Sequence, residues 1–131
     1  MWGDLDALGI VFYPRYYEWI DAAGHLFFDS LGLNLWKLWV ERKIQFGLIE
    51  TRCTYFKPGR YQDDISIITQ IDTLEEKTIL LKHAILRSAD RALMVEGFEK
   101  RICLDVSDNQ QFRACAIPPD IVAVLEAAAE I

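Results

Sequence analysis

YPRYYEWIDAAGHLFFDSL, residues Tyr13–Leu31, is the stretch of sequence that decides the fold. Pro14 suits the first turn of a helix, where its missing N–H costs no hydrogen bond. Gly32 follows the last apolar position, and glycine ends many helices there. The apolar residues recur at steps of three and four, which is the spacing of one helix face: Tyr16, Ile20, Ala23, Phe27 and Leu31. The segment therefore predicts a helix from Tyr13 to Leu31.

This helix is apolar over more than one stripe, because Tyr17, Trp19 and Phe28 widen the apolar arc. A helix with so wide an arc is buried by its neighbours, and we expect a sheet to wrap it. Gly24 lies in the middle of the helix, where glycine costs about 1 kcal/mol relative to alanine. The expected reason for Gly24 is the close approach of another backbone.

The rest of the chain predicts a short helix, several long strands and a closing helix. The short helix runs from Leu35 to Arg42 with Asn34 as its N-cap, and strand character begins at Ile44. Alternating patterns predict the strands: Ile65, Ile67, Thr69 and Ile71; Ile79, Leu81, His83 and Ile85; and the run Arg91–Leu104. Turn-like stretches separate these runs, at Lys57–Gly59, Glu75–Lys77 and Ser88–Asp90, and Pro118–Asp120 opens a helix to about Ala129. Short connections indicate antiparallel neighbours. We expect an α+β fold, a curved antiparallel sheet around a central helix, as a single domain over residues 1–131.

Composition narrows the classes of function. The 131 residues fit one domain. A net charge of −6 argues against a general nucleic-acid binder. Three cysteines without a C-x-x-C pair indicate a reducing compartment, and two histidines without ligand-like spacing make a zinc site unexpected. The start, Met1–Asp4, has no basic region or small-residue cleavage site. We therefore expect a cytoplasmic protein that is not embedded in a membrane.

The segment WGDLDALGIVFYPRY, residues Trp2–Tyr16, carries the candidate chemistry. Two acids, Asp4 and Asp6, precede Gly9, and the chain then enters the predicted helix. The unpaired backbone N–H groups of a helix N-terminus carry partial positive charge, which stabilises an oxyanion. A carboxylate beside that terminus is suited to act as a nucleophile or as a general base on water. These parts are sufficient to hydrolyse a thioester without a metal.

The same segment resembles the signature of the hydroxybenzoyl-CoA thioesterase family, an aromatic-Gly-Asp-x-Asp-x-x-Gly-Ile-Val-x-Tyr-Pro-x-Tyr run that leads into the helix of a hotdog fold. The matching residues are Trp2, Gly3, Asp4, Asp6, Gly9, Ile10, Val11, Tyr13, Pro14 and Tyr16. The match continues through Trp19–Asp21, with weaker matches at Tyr55–Asp63 and Ala116–Pro118. The resemblance implies a hotdog fold and acyl-CoA thioesterase activity.

The resemblance also implies roles for individual residues. Asp6 matches the family's catalytic carboxylate, and the backbone N–H of Tyr13 polarises the thioester carbonyl. Gly9 lets the chain turn beside the substrate. Lys57 and Arg60 are the candidates to contact the phosphates of coenzyme A. The family needs no cofactor and works as homodimers or homotetramers, with the active site at a subunit interface.

Tyr13 follows the aromatic-thioesterase branch of the family, and this favours an aryl acyl group. Two other functions stay open from the sequence. One is a thioesterase that acts on acyl groups bound to acyl carrier protein. The other is a non-catalytic acyl-CoA binding module on the same fold, in which Asp6 is dispensable.

Several residues have structural interpretations beside functional ones. His25 follows Asp21 by four residues on one helix face, and we favour a packed histidine over an acid–base pair. His83 is expected to be structural or at the surface. We expect three tryptophans to be core residues rather than the lining of an acyl pocket: Trp19, Trp36 and Trp39. We expect the three cysteines to be thiols that are not activated: Cys53, Cys103 and Cys115.

Overall fold

The computed structural model describes residues 14–57 and 64–129, with side chains from residue 17 onward. Its elements are, in chain order, α1 (Pro14–Ser30), α2 (Leu35–Lys37), a π-helical turn (Leu38–Arg42), β1 (Ile44–Tyr55), β2 (Ile65–Leu74), β3 (Thr78–Arg87), β4 (Leu93–Asp105), β5 (Arg113–Ala114) and α3 (Pro119–Ala129). The predicted helices and strands that fall in these ranges are confirmed, with bounds that differ by up to three residues, whereas the short strand β5 was not predicted. Within these ranges, no helix combines the length and apolar character needed to cross a membrane.

Helix α1 ends at the predicted glycine. Gly32 adopts a φ of +76°, a left-handed conformation that favours glycine. The N–H of Leu33 donates to the carbonyl of Phe28 at 2.9 Å, and the N–H of Gly32 donates to the carbonyl of Asp29 at 3.0 Å. This pair of bonds is the Schellman motif. The cap also brings Leu33 against Phe28 in the core.

The sheet is antiparallel with the order β1-β4-β3-β2, and β5 pairs with the end of β4. Strands β2, β3 and β4 form the predicted meander, joined at Glu75–Lys77 and at Ser88–Asp90. Strand β1 crosses to the far side of β4, so that β4 becomes a central strand with long partners on both sides. Strand β2 forms the edge opposite β1. The arrangement confirms the α+β class.

The core fills the space between α1 and one face of the sheet. Phe28 of α1 stacks on Phe46 of β1 with ring centroids 5.2 Å apart. Helix α3 and the short helical segment close one end of this space with four buried side chains: Ile121, Leu125, Leu35 and Leu38. At the other end, Ile20 packs with Ile85, Met94 and Val95. The helix is therefore buried by the sheet, as its wide apolar arc predicts.

Two glycines let α1 approach the sheet closely. A Cβ atom at Gly97 of β4 would overlap Cδ1 of Ile20, and a Cβ at Gly24 of α1 would overlap Oε1 of Glu99. The same Gly24 Cβ would lie 3.4 Å from a guanidinium nitrogen of Arg101. The expectation that another backbone approaches Gly24 is therefore wrong. The neighbour is the buried carboxylate of Glu99.

We predict that Gly24→Ala lowers the free energy of unfolding by about 1–3 kcal/mol, the usual cost of overpacking. Replacing an ordinary mid-helix glycine with alanine would instead raise the free energy of unfolding by about 1 kcal/mol. Urea denaturation measures the difference. His25→Ala, at the exposed next position of α1, is the control and is expected to change stability by less than about 0.5 kcal/mol. A Gly24→Ala protein as stable as the parent would show that the Glu99 carboxylate can move aside.

Candidate functional site

Most of the site residues predicted from the sequence lie outside the part of the chain that the structure describes: Asp6, Gly9, Tyr13 and Arg60. Lys57 is exposed just after β1, and its backbone N–H donates to the carbonyl of Met94 at 3.2 Å. Helix α1 begins at Pro14, directly after Tyr13. The roles of these five residues therefore remain predictions, and the described residues define the surroundings in which such a site would work.

A cavity of about 520 Å³ lies between α1 and the edge strand β2. Its wall on α1 consists of Trp19, Ala22, Ala23, Leu26 and Phe27, and its wall on β2 consists of Ile65, Ile67 and Thr69. This volume falls within the usual range for small-molecule sites, which are mostly apolar with a few polar groups. The first of its lining residues, Trp19, lies within two turns of the start of α1.

The three tryptophans differ in their surroundings. Trp19 lines the cavity, which was the less favoured interpretation. Trp36 is 73% exposed, so the core assignment for this residue is wrong. Trp39 packs edge-to-face on Phe112, with ring centroids 5.5 Å apart. Only Trp19 of these three therefore borders the cavity.

A group of ionisable side chains is buried beneath the cavity, between α1 and the sheet. His83 of β3 is fully buried, and Glu99 and Arg101 of β4 are 1% and 3% exposed. The His83 Nε2 atom lies 2.8 Å from Glu99 Oε1, and Arg101 Nη2 lies 2.9 Å from Glu99 Oε2. Arg101 also donates to the carbonyl of Phe46 at 3.1 Å. The two buried charges, Glu99 and Arg101, are thus hydrogen-bonded to each other, as burial requires.

This buried group connects the cavity to the surface. At one end, the Thr69 hydroxyl lies 2.8 Å from Nδ1 of His83, its direct cross-strand neighbour. At the other end, Arg101 Nη2 donates to Oδ1 of the half-exposed Asp21 at 2.9 Å. We call these five residues, Thr69, His83, Glu99, Arg101 and Asp21, the polar relay. Of the two locations expected for His83, the surface one is wrong.

The sequence contains a signal for the polar relay that becomes visible when the residues of β4 are assigned to the two faces of the sheet. Alternate residues of β4 face α1 and are buried: Val95, Gly97, Glu99, Arg101 and Cys103. The strand was predicted as one run, without assigning its faces. Period-two alternation from Val95 would have placed a glutamate and an arginine on the apolar face, and two opposite charges there indicate a buried ion pair.

The Asp21–His25 pair does not form an acid–base unit. The His25 Nε2 atom lies 3.7 Å from Asp21 Oδ2, which is longer than a hydrogen bond, and both side chains are about half exposed. The interpretation of His25 as a packed histidine is therefore also wrong. Asp21 instead binds Arg101 of the polar relay.

Cys53 and Cys103 are not activated as nucleophiles. The sulfur atoms of Cys103 and Cys115 lie 3.6 Å apart as free thiols. Burial and the neighbouring Cys115 thiol raise the pKa of Cys103 to about 12. Burial likewise raises the pKa of Cys53. Because the thiolate is the reactive form, Cys53 and Cys103 are protonated and inert at neutral pH, in agreement with the sequence interpretation.

Comparison with known proteins adds independent findings. The sequence profile of the thioesterase-like superfamily matches residues 1–125. The chain is 28% identical over 125 residues to 4-hydroxybenzoyl-CoA thioesterase from Pseudomonas sp. (strain CBS-3), covering 92% of this chain and 88% of that protein.

Two solved structures are similar over nearly the whole chain. A gentisyl-coenzyme A thioesterase is 34% identical, with a TM-score of 0.79 over 95% of this chain and 93% of that chain. A mutant 4-hydroxybenzoyl-CoA thioesterase in complex with 4-hydroxybenzoyl-CoA is 28% identical, with a TM-score of 0.87 over 95% and 92% of the two chains.

We predict that Glu99→Gln lowers the free energy of unfolding by about 3 kcal/mol, because it leaves the buried Arg101 without its full counter-charge. Glu96→Gln is the matched control on the same strand. It removes a partly exposed pair with Lys82, 3.6 Å apart, and should cost less than about 1 kcal/mol. Urea denaturation of both variants measures the contrast. Equal, small effects would contradict a tightly coupled buried relay.

Proposed function

The chain belongs to the thioesterase-like superfamily, and from this membership and the cavity beside α1 we propose that it hydrolyses an aryl acyl-CoA to the free acid and coenzyme A. The thioester hydrolase activity and the hotdog fold expected from the sequence are confirmed by the superfamily match and by the similar thioesterase structures. The observation in the structure that supports an aryl acyl group best is the cavity itself. Apart from the Thr69 hydroxyl, its described walls are aliphatic and aromatic, and its volume of about 520 Å³ accommodates an aromatic ring.

The proposed chemistry uses Asp6 and the backbone N–H of Tyr13. Attack on the carbonyl carbon, by the Asp6 carboxylate or by water that Asp6 deprotonates, forms a tetrahedral oxyanion. The Tyr13 N–H at the start of α1 donates to that oxyanion. The carbon–sulfur bond then breaks, and coenzyme A leaves as its thiolate and takes up a proton. If Asp6 attacks directly, water hydrolyses the resulting anhydride. The start of α1 at Pro14 supports the role of the Tyr13 N–H.

Binding of the coenzyme A portion is assigned to Lys57 and Arg60, and Gly9 provides the turn beside the thioester. The exposed position of Lys57, just after β1, suits a contact with phosphate at the surface. These assignments rest on the family resemblance and on charge. The protein as a whole is acidic, so local cations would have to attract the phosphates.

The enzyme is proposed to work as a homodimer or homotetramer. Among the described residues, β2 pairs with β3 on one side and with no strand on the other. The cavity opens beside this edge, and Leu26 in its wall is 67% exposed. These apolar groups cost free energy when they remain in water. A second subunit would cover them. An active site at a subunit interface would follow.

A cytoplasmic location is proposed as well. The free thiols of Cys103 and Cys115 are 3.6 Å apart and unbridged. Such a pair is stable as thiols in a reducing compartment.

We predict that Asp6→Asn lowers kcat/KM at least about 10²–10³-fold while the protein folds normally, because the reacting carboxylate is lost. A thiol-detection assay with a panel of aryl, short-chain and long-chain acyl-CoA esters measures the effect. Asp4→Asn is the matched control two residues away and should retain most of the activity. Full activity in a folded Asp6→Asn protein would contradict the mechanism. Turnover of carrier-bound esters alone would redirect the assignment to acyl carrier protein, and binding without turnover would indicate a binding module.

We predict that the purified protein has a mass of at least twice 15.1 kDa by light scattering. Leu26→Glu should shift the mass towards that of the monomer, because it places a charge in the proposed apolar interface. Trp36→Glu changes an apolar side chain that is at least as exposed, on a different face, and should leave the mass unchanged. A monomeric parent protein would contradict the proposed assembly.

A further inference from the structure

Thr69 carries the only hydroxyl among the described residues that line the cavity. Its neighbours on the wall are hydrocarbon side chains and the indole of Trp19. The Thr69 hydroxyl oxygen lies 2.8 Å from Nδ1 of His83. Whether Thr69 accepts a hydrogen bond from a ligand or donates one to it therefore depends on which of these two atoms donates the proton.

The location of that proton follows from the remainder of the polar relay. Glu99 is paired with Arg101 at 2.9 Å, and a carboxylate so paired only accepts hydrogen bonds. The His83 Nε2 atom, 2.8 Å from Glu99 Oε1, must then carry a proton and donate it. In the neutral imidazole, Nδ1 is consequently the acceptor. With His83 as the neutral imidazole, the Thr69 hydroxyl donates its single proton to Nδ1, and its oxygen retains free lone pairs.

We infer that Thr69 determines substrate specificity by accepting a hydrogen bond from a hydroxyl group on the aromatic ring of the acyl group. The inference rests on the proposed function, and it names the acyl class more narrowly as hydroxyaryl. A ring hydroxyl supplies the proton that the Thr69 oxygen lacks. An unsubstituted ring that displaces water from Thr69 leaves the lone pairs of its oxygen without a donor, and sites of this kind discriminate against the analogue that lacks the hydroxyl.

His83, Glu99 and Arg101 are positioning residues in this arrangement. They do not line the cavity, but they fix the direction in which the Thr69 proton points. Because the three side chains are almost completely buried, water does not compete for the donor and acceptor positions. The polarity of the cavity wall is thus set by charges that the substrate never contacts.

The first experiment compares kcat/KM for benzoyl-CoA with kcat/KM for 2-, 3- and 4-hydroxybenzoyl-CoA. The parent enzyme should prefer at least one hydroxylated ester by about tenfold, the effect of one hydrogen bond. Thr69→Val should reduce that ratio to about one, and Thr69→Ser should preserve it. Thr69→Ala repeats the comparison if valine impairs folding, since it leaves room for a water on His83. Thr73→Val, the same change at an exposed position of β2, is the matched control and should keep the parent ratio.

The outcomes separate this inference from the proposed function. Turnover of no CoA ester by the folded parent protein would overturn the proposed function, and the inference with it. Turnover with an unchanged ratio in both Thr69→Val and Thr69→Ala would overturn the role of Thr69 alone.

The second experiment tests the proton assignment without any substrate. The chain has two histidines, so ¹⁵N NMR of the imidazole groups, with His25→Gln to assign the signals, reports on His83 directly. At pH 7 the His83 signals should show a protonated Nε2 and an unprotonated Nδ1. A protonated Nδ1 would overturn the inference, because Thr69 would then present its proton to the cavity.

Discussion

The ion pair between Glu99 and Arg101 lies beside Gly24, where the central helix closely approaches the sheet, and much of the surrounding structure accommodates it. Burying two charges is unfavourable unless their geometry and remaining hydrogen bonds compensate. Here the compensation comes from three elements: His83 on β3, the carbonyl of Phe46 on β1, and Asp21 on α1. Because these groups must be in place together, the pair ties the helix to three strands at a defined position along its axis.

The same arrangement explains which parts of the fold are predictable from the sequence. Strands β2 and β3 and helix α1 follow from apolar spacing, since their inward faces are mostly aliphatic or aromatic. Strand β4 is predictable as a strand, but two of its inward residues are charged, and they are recognised as buried only when its alternate residues are assigned to faces. Gly24 was recognised as a sign of close approach. The identity of its neighbour depends on contacts between α1 and β4, such as that of Asp21 with Arg101, 80 residues apart, and residues adjacent in the sequence do not reveal such contacts.

The candidate site divides in a similar way. The Asp6 motif is a continuous segment, and a family resemblance was sufficient to find it. The cavity brings α1 together with β2, and neither segment alone indicates a binding site. The sequence alone identifies Thr69 only as part of an alternating strand, because a threonine among isoleucines is common in a sheet. Its position opposite His83 places its hydroxyl beside the imidazole. That position depends on strand register rather than on residue type.

Gly24 and Glu99 also bear on how this chain can change. The space that a side chain at position 24 would need is filled by the carboxylate of Glu99. A shorter residue at position 99 would vacate that space, but it would also remove one of the two carboxylates that bind Arg101. A larger residue at position 24 is therefore accessible only after several buried positions have changed together. The substitutions that positions 24, 99 and 101 tolerate are therefore coupled. Glycine is required at position 24 because of a carboxylate that lies far away in the sequence.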